Sequence, residues 1–191
     1  MDRSSSALTA STPDARIVRT RTALHDSLLA LLEEKPFDDI TVRDISARAG
    51  IGYATFFRHY PSKAALLDEL AADEIAELLT LALPDLRAVD TRSAAMAMCR
   101  HVDERRALWS VLLTGGAAGR MREEFIRQAA ANVPDVVHSN SWLPDDLKVF
   151  FGVAGAVEIL SWWLYRGRHF TIEQAAEIVD RLVVAPMVHA P

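Results

Sequence analysis

Between Thr41 and Tyr60, polar and aromatic side chains are spaced so that two short helices would bring them to one surface. Ala49-Gly50 supplies a small-residue turn. Val42, Ile45, Ile51 and Phe56 are placed to glue a helix on each side of that turn, which leaves Gly52, Tyr53, Thr55 and His59 facing outward. A helix-turn-helix needs those three things: a tight turn, apolar glue, and a polar outer face on the second helix that can reach base edges. Other kinds of chemistry lack their residues. His25, His59, His101, His138, His169 and His189 make no metal-ligand spacing. Gly115-Gly116-Ala117-Ala118-Gly119 has no following Lys-Ser/Thr and no preceding strand, and there is no Gly-x-Ser-x-Gly elbow. The acid pairs Asp38-Asp39, Glu123-Glu124 and Asp145-Asp146 fall at turns or first turns, where carboxylates serve the helix dipole. The chain therefore reads as a non-enzyme with no metal and no cofactor.

The elements that must position this surface are helical throughout. Residues 1–15 read as a disordered tail, with Ser4-Ser5-Ser6 and Pro13 opposing regular structure. From Arg16 to Lys35, Ile17, Leu24, Leu28 and Leu31 recur at helical steps, and Pro36 ends the run. Thr41-Val42-Arg43-Asp44 has the form of a capping box for a helix ending near Gly50. A third helix runs to Tyr60 and is broken by Pro61. Ser62 caps a fourth, which is expected to stop at Leu83 before Pro84. Further helices are expected at Thr91–His101, Asp103–Leu113, Gly119–Ala131, Asp145–Arg166 and Ile172–Val188, punctuated by Gly115-Gly116, Pro134, Pro144 and Gly167. No segment alternates with period two, so no sheet is expected. The fold class is all-α: a helix-turn-helix domain at 16–61, a connecting helix at 62–83, and a larger helical domain at 84–191.

Composition narrows the setting. The chain has 191 residues, half of them hydrophobic, and one cysteine, Cys99, so no intrachain disulfide and no multi-cysteine zinc site can form. This points to a reducing, cytoplasmic location. The N-terminus has no apolar block of a secretory signal. The apolar stretch Val149–Tyr165 is 17 residues long and contains Glu158, which argues against a membrane span. The net charge of −5 is unevenly spread: residues 16–63 carry +2 and the remainder −7. A cationic segment on an acidic body suits a small DNA-reading module joined to a larger domain.

The stretch Ile40-Thr41-Val42-Arg43-Asp44-Ile45, then Ala49-Gly50-Ile51-Gly52-Tyr53-Ala54-Thr55-Phe56-Phe57-Arg58-His59-Tyr60-Pro61-Ser62-Lys63 with Leu66-Leu67, closely resembles the DNA-binding domain of tetracycline-repressor-type (TetR family) regulators. The resemblance covers Arg16 to Leu70. It implies that Arg43 grips phosphate or a guanine edge, and that Gly52, Tyr53 and Thr55 lie nearest the bases. His59 and Lys63 match backbone-gripping positions, Thr41 bonds phosphate or caps, and Arg19 and Arg21 hold the flanking backbone. Two residues depart from the family pattern. Phe57 replaces the usual Tyr and loses a phosphate hydrogen bond, leaving van der Waals contact or a core role, and Gly52 replaces a common Ser or Thr.

The resemblance further implies a homodimeric repressor on a palindromic operator, released by a small, largely apolar effector. Its last two long helices, 145–166 and 172–188, would form a four-helix bundle with a second subunit. The residues themselves support a partner there: Phe150, Val153, Val157, Leu160 and Leu164 make one apolar stripe, and Phe151, Ala154, Glu158, Trp162 and Tyr165 make a second. Candidate effector-pocket residues are Met96, Cys99, Trp109, Leu113, Met121, Phe125, Phe151 and Trp162, with Glu158 and His101 as polar anchors. Glu158, in an apolar helix, needs a partner: a ligand, a group across the dimer, or a Trp indole. The alternative reading is a helical small-molecule-binding protein or enzyme whose N-terminal module is only structural.

Overall fold

The computed structural model describes residues 13–115, 118–132, 143–166 and 169–188. Residues 1–12, Gly116, Pro134 and Gly167, on which parts of the punctuation above depend, lie outside them. The described residues are helical, with no strand among them. They fall into two compact units, 1–66 and 67–191.

The first unit holds α1 (Pro13–Leu32), a 3-10 turn (Phe37–Asp39), α2 (Val42–Arg48), α3 (Tyr53–His59) and the opening of α4 (Lys63–Arg87). Helix α1 begins at Pro13, inside the segment expected to be tail. Proline is well placed there, because its missing N–H would be unpaired at a helix start anyway. The core is built by Leu24, Leu28, Ile40, Ile45, Phe56 and Leu66, all essentially inaccessible to solvent. Ile17, counted in the apolar stripe of α1, is exposed, so the buried face of α1 starts at Leu24. The Thr41 hydroxyl accepts from the Asp44 N–H, and the Asp44 carboxylate accepts from the Thr41 N–H at 2.9 Å. This reciprocal box starts α2. Gly50 takes φ +66°, the left-handed conformation that lets α2 stop abruptly and α3 begin three residues later.

The second unit contains the rest of α4, α5 (Thr91–Glu104), α6 (Arg106–Thr114), α7 (Ala118–Asn132), α8 (Asp145–Tyr165), α9 (Ile172–Val179), a π-turn (Asp180–Val184) and α10 (Ala185–Val188). Pro84 does not end α4 as expected. Its ring is exposed and the helix continues to Arg87, with Ala88 N–H donating to the Pro84 carbonyl. An exposed proline leaves the freed carbonyl one turn earlier to water, so the break is tolerated. The actual stop is Val89 at φ 59°, after which Asp90 caps α5 through the Ser93 N–H. The π-turn sits immediately before Pro186. Widening the turn there relieves the clash a proline makes with the carbonyl four residues back.

Helix α8 packs against α6 and α7 on one side and against α9 and the π-turn on another. A Cβ on Gly155 would lie 2.8 Å from Val183 Cγ2, so the helices approach there as only glycine allows. Its expected first stripe is buried at Val153, Val157, Leu160 and Leu164, while Phe150 is half exposed. In the second stripe Ala154 and Trp162 are half-buried, while Phe151 is 56% exposed and Tyr165 85%.

Candidate DNA-binding interface

Phe56 and Tyr60 point α3 inward and anchor it to the core, which turns the opposite face outward. On that face Tyr53 is 51% exposed and Phe57 is exposed beside it, with ring centroids 5.1 Å apart in an edge-on arrangement. The Arg43 guanidinium, from α2, lies 5.8 Å from the Tyr53 ring centroid. Thr55 Oγ1 accepts from Arg58 Nη2 at 2.9 Å, which directs the threonine's own hydroxyl hydrogen toward another acceptor. Gly52 is the N-cap of α3 and is exposed, and His59 is half-buried at its C-terminal end. The resulting face carries a cation, an aromatic pair and a hydroxyl donor. Those are groups that can meet phosphate, a thymine methyl or a base acceptor.

Lys63 has other partners than the resemblance implied. The Lys63 ammonium donates to three backbone carbonyls, Phe37 at 2.8 Å, Asp38 at 3.0 Å and Ile40 at 2.7 Å, and lies 4.6 Å from the Phe37 ring centroid. All three of its N–H donors are thus directed at the turn before α2 rather than outward. Thr41 caps α2. Asp44 in the same box also accepts from Lys35 at 2.8 Å, and this bond, with those from Thr41, lowers the carboxyl pKa to about 2. Beside α3 lies a polar concavity lined by Arg16, Thr20, Gly52, Thr55, Arg58 and His59. Arg16 and Thr20 were missed from sequence. Their only signal was a one-turn spacing on a helix face that α3 approaches. Arg19 donates to the Ala15 carbonyl, and Arg21 lies over the Tyr60 ring at 5.7 Å.

Residues 25–70 match the profile described as bacterial regulatory proteins, tetR family. The uncharacterized HTH-type transcriptional regulator YxbF of Bacillus subtilis (strain 168) is 40% identical over 67 residues, 35% of this chain and 18% of that relative. A TetR transcriptional regulator from Streptococcus agalactiae 2603V superposes with a TM-score of 0.62 at 25% identity, covering 90% of this chain and 97% of that one. Over residues 25–70 the chain is similar to the DNA-binding domain of TetR-family regulators. A second TetR transcriptional regulator, from Rhodococcus sp. RHA1, shares the fold with a TM-score of 0.62 at 17% identity, covering 87% and 94% of the two chains. The match to YxbF thus spans about a fifth of that protein, whereas the fold likeness runs through both units of this chain.

The second unit distributes the expected effector residues among several sites. Cys99, His101, Trp109, Met121 and Phe125 are buried, Met96 and Trp162 are half-buried, and Leu113 is buried. Burial pushes the Cys99 thiol up to about 12, which keeps it protonated and unreactive. His101 Nε2 lies 3.0 Å from Glu74 Oε2, its ring is edge-on to Trp109, and Glu74 also pairs with Arg105. Glu77 completes a group with the residue types of a metal site. However, Arg105 already stands as the cation between the two glutamates, 3.4 Å from Glu77. Glu158 is not buried. It lies on the surface with Arg122 at 3.7 Å, so its burial cost never arises. Phe151 is likewise outside, and Trp162 packs on Phe170 at 4.8 Å.

A cavity of about 110 Å³, open to solvent, is lined by Leu79, Met98, Phe125, Lys148, Val153 and Met187 among others. Of the expected effector residues only Phe125 lines it, and Met121 lines a different, more polar one with Asp68 and Arg120. Lys148 was overlooked because it follows Asp145-Asp146 in what reads as an ordinary polar first turn. Its side chain is 1% exposed, with Asp145 Oδ1 at 3.2 Å.

Proposed function

We propose that this chain is a ligand-responsive, DNA-binding transcriptional regulator, a repressor that holds a palindromic operator as a homodimer and is released by a small, largely apolar effector. The observation that carries the reading is the outward face of α3, where Tyr53 and Phe57 stay in solvent beside Arg43 and Thr55. Tyr53 and Phe57 pack edge-on against each other and still leave about half of their surface in solvent. In a major groove they meet thymine methyls and sugar. Arg43, Gly52, Tyr53, Thr55, Phe57 and His59 make the contact surface in each half-site, with Arg16 and Thr20 flanking it. Lys63 and Thr41 act as positioning residues that set the turn before α2 and the start of α2. The domains in this reading are 16–61 for DNA, 62–83 as connector and 84–191 for effector and dimer.

Self-association through 145–166 and 172–188 is supported by Phe151, Tyr165 and Leu182, which leave apolar surface uncovered on those helices. Two α3 helices about one DNA turn apart then read a palindrome. Helix α4 is continuous from Lys63 to Arg87 and so belongs to both functions. An effector that favours one placement of α4 changes operator affinity only as far as it prefers the non-binding state. The protein works in the cytoplasm and is not an enzyme. The test is selection of bound fragments from the source organism's genomic DNA at about 150 mM salt, where steep salt dependence suppresses non-specific binding. A short imperfect palindrome is the expected product. Sequence-indifferent recovery overturns the proposal.

A further inference from the structure

We propose that Thr55 reads DNA as a hydrogen-bond donor, its polarity set by Arg58 on one side and Gly52 on the other, so that each half-site excludes cytosine at the base it faces. The inference rests on the reading of the α3 face as the DNA-contacting surface and adds what that face selects. The Arg58 guanidinium reaches back one turn and donates through Nη2 to Thr55 Oγ1 at 2.9 Å. A hydroxyl has one hydrogen and two lone pairs. Here one lone pair is taken by a cation, which draws electron density from the oxygen. The O–H becomes a stronger donor and the remaining lone pair a poorer acceptor.

The hydrogen itself is left for an outside partner. Thr20, Thr80 and Thr114, in longer helices, each donate their hydroxyl to the carbonyl four residues back. Thr55 lies in the first turn of α3, where the residue four back, Ile51, precedes the helix. Among the described residues no acceptor takes its hydrogen. Gly52 preserves that state. A Cβ at Gly52 would lie 3.7 Å from Thr55 Oγ1, so a serine there would bring a competing acceptor within reach. In the major groove guanine, adenine and thymine each offer an acceptor, whereas cytosine offers only its N4 amino group, a donor. A fixed donor therefore tolerates three bases and meets cytosine donor to donor.

The test is selection of bound fragments from a randomised duplex library by the full chain, read by sequencing, with Arg58→Met, Gly52→Ser and Thr55→Val in parallel. With the unaltered protein, one position of each half-site should be depleted of cytosine by about tenfold, the scale of one hydrogen bond lost and one donor left unpaired. Each of the three variants should bring cytosine there within about twofold of the other bases and keep the rest of the motif. Arg58→Lys, which retains a cationic donor, should keep the depletion. Gly52 is exposed at φ −68° and serine is a favoured N-cap, so Gly52→Ser tests the claim with the fold intact. A motif with no such position, or with a depletion that survives in Arg58→Met and Gly52→Ser, overturns the proposal and leaves α3 as the reading helix. A loss in Arg58→Met that is uniform over all sequences, with a salt slope shallower by about one phosphate, makes Arg58 a backbone contact and also overturns it. Enrichment of no motif by the unaltered protein overturns the operator reading and this inference together.

Discussion

Tyr53 keeps half of its surface in solvent although it begins a helix whose next turn is anchored by the buried Phe56. In the proposed complex it meets base edges, so Tyr53→Ala should weaken specific binding by about 1–3 kcal/mol per half-site, the scale of one good base contact. Competition between a selected fragment and random DNA measures this directly. A uniform loss on both would instead place Tyr53 on the backbone. Lys63 belongs to a different class. Its ammonium is committed to the carbonyls of Phe37, Asp38 and Ile40, so Lys63→Met should lower the melting temperature and weaken binding to every DNA while keeping the salt slope. A slope shallower by about one phosphate with unchanged melting would return Lys63 to the DNA backbone. The outward set on α3 was legible because burial of Ile45 and Phe56 fixes which side faces water. The Lys63 partners were not, since three carbonyls of a 3-10 turn more than 20 residues earlier leave no spacing signature.

Among the elements, α2 is the one whose start the sequence spells out most completely. The Thr41–Asp44 box is present as expected, and Lys35 adds a third hydrogen bond to the Asp44 carboxylate. These bonds favour the ionised form and lower its pKa from 3.8 to about 2. A group depressed on folding stabilises the protein above its unfolded pKa, and that contribution disappears as pH falls through the folded value. The stabilisation from Asp44 is therefore complete at neutral pH and lost between about pH 4 and pH 2. Asp44→Asn should melt lower than the unaltered chain at pH 7, and the gap should close toward pH 2, as followed by helical circular dichroism. A gap independent of pH would assign the effect to packing instead. Element order and type were readable from apolar periodicity and turn residues. The run of α4 past Pro84 was not, because an exposed proline can sit in a helix whose packing faces the other way. Nor was the π-turn before Pro186, which depends on how α8 and the C-terminal segment approach at Gly155.

At the scale of the molecule, the charge split and the exposed Phe151 and Tyr165 of α8 bear on the functional argument. In the proposed complex a segment of +2 meets DNA in a chain of −5 overall, which disfavours indiscriminate binding along a polyanion. Phe151→Glu places a charge on the exposed apolar face of α8, so it should shift the protein toward monomer in sedimentation analysis and weaken operator binding while leaving the thermal stability of each subunit little changed. An unchanged dimer would move the interface elsewhere. The two apolar sides of α8 were legible from its residue pattern, and the one through Val153, Val157, Leu160 and Leu164 is buried. The cavity is assembled from residues on helices far apart in sequence, so only Phe125 in its lining is among the residues expected to meet an effector.

The central claim, that the α3 face reads sequence, is tested most directly by equilibrium binding at about 150 mM salt to a selected genomic palindrome and to the same fragment with its half-sites scrambled. The unaltered protein should prefer the palindrome by a factor of about 10³ or more, as sequence-specific regulators do. The Tyr53→Ala, Thr55→Ala double variant should lose most of that factor while still binding both fragments weakly. Equal affinity of the unaltered protein for the two fragments, or a preference untouched in the double variant, would contradict the account.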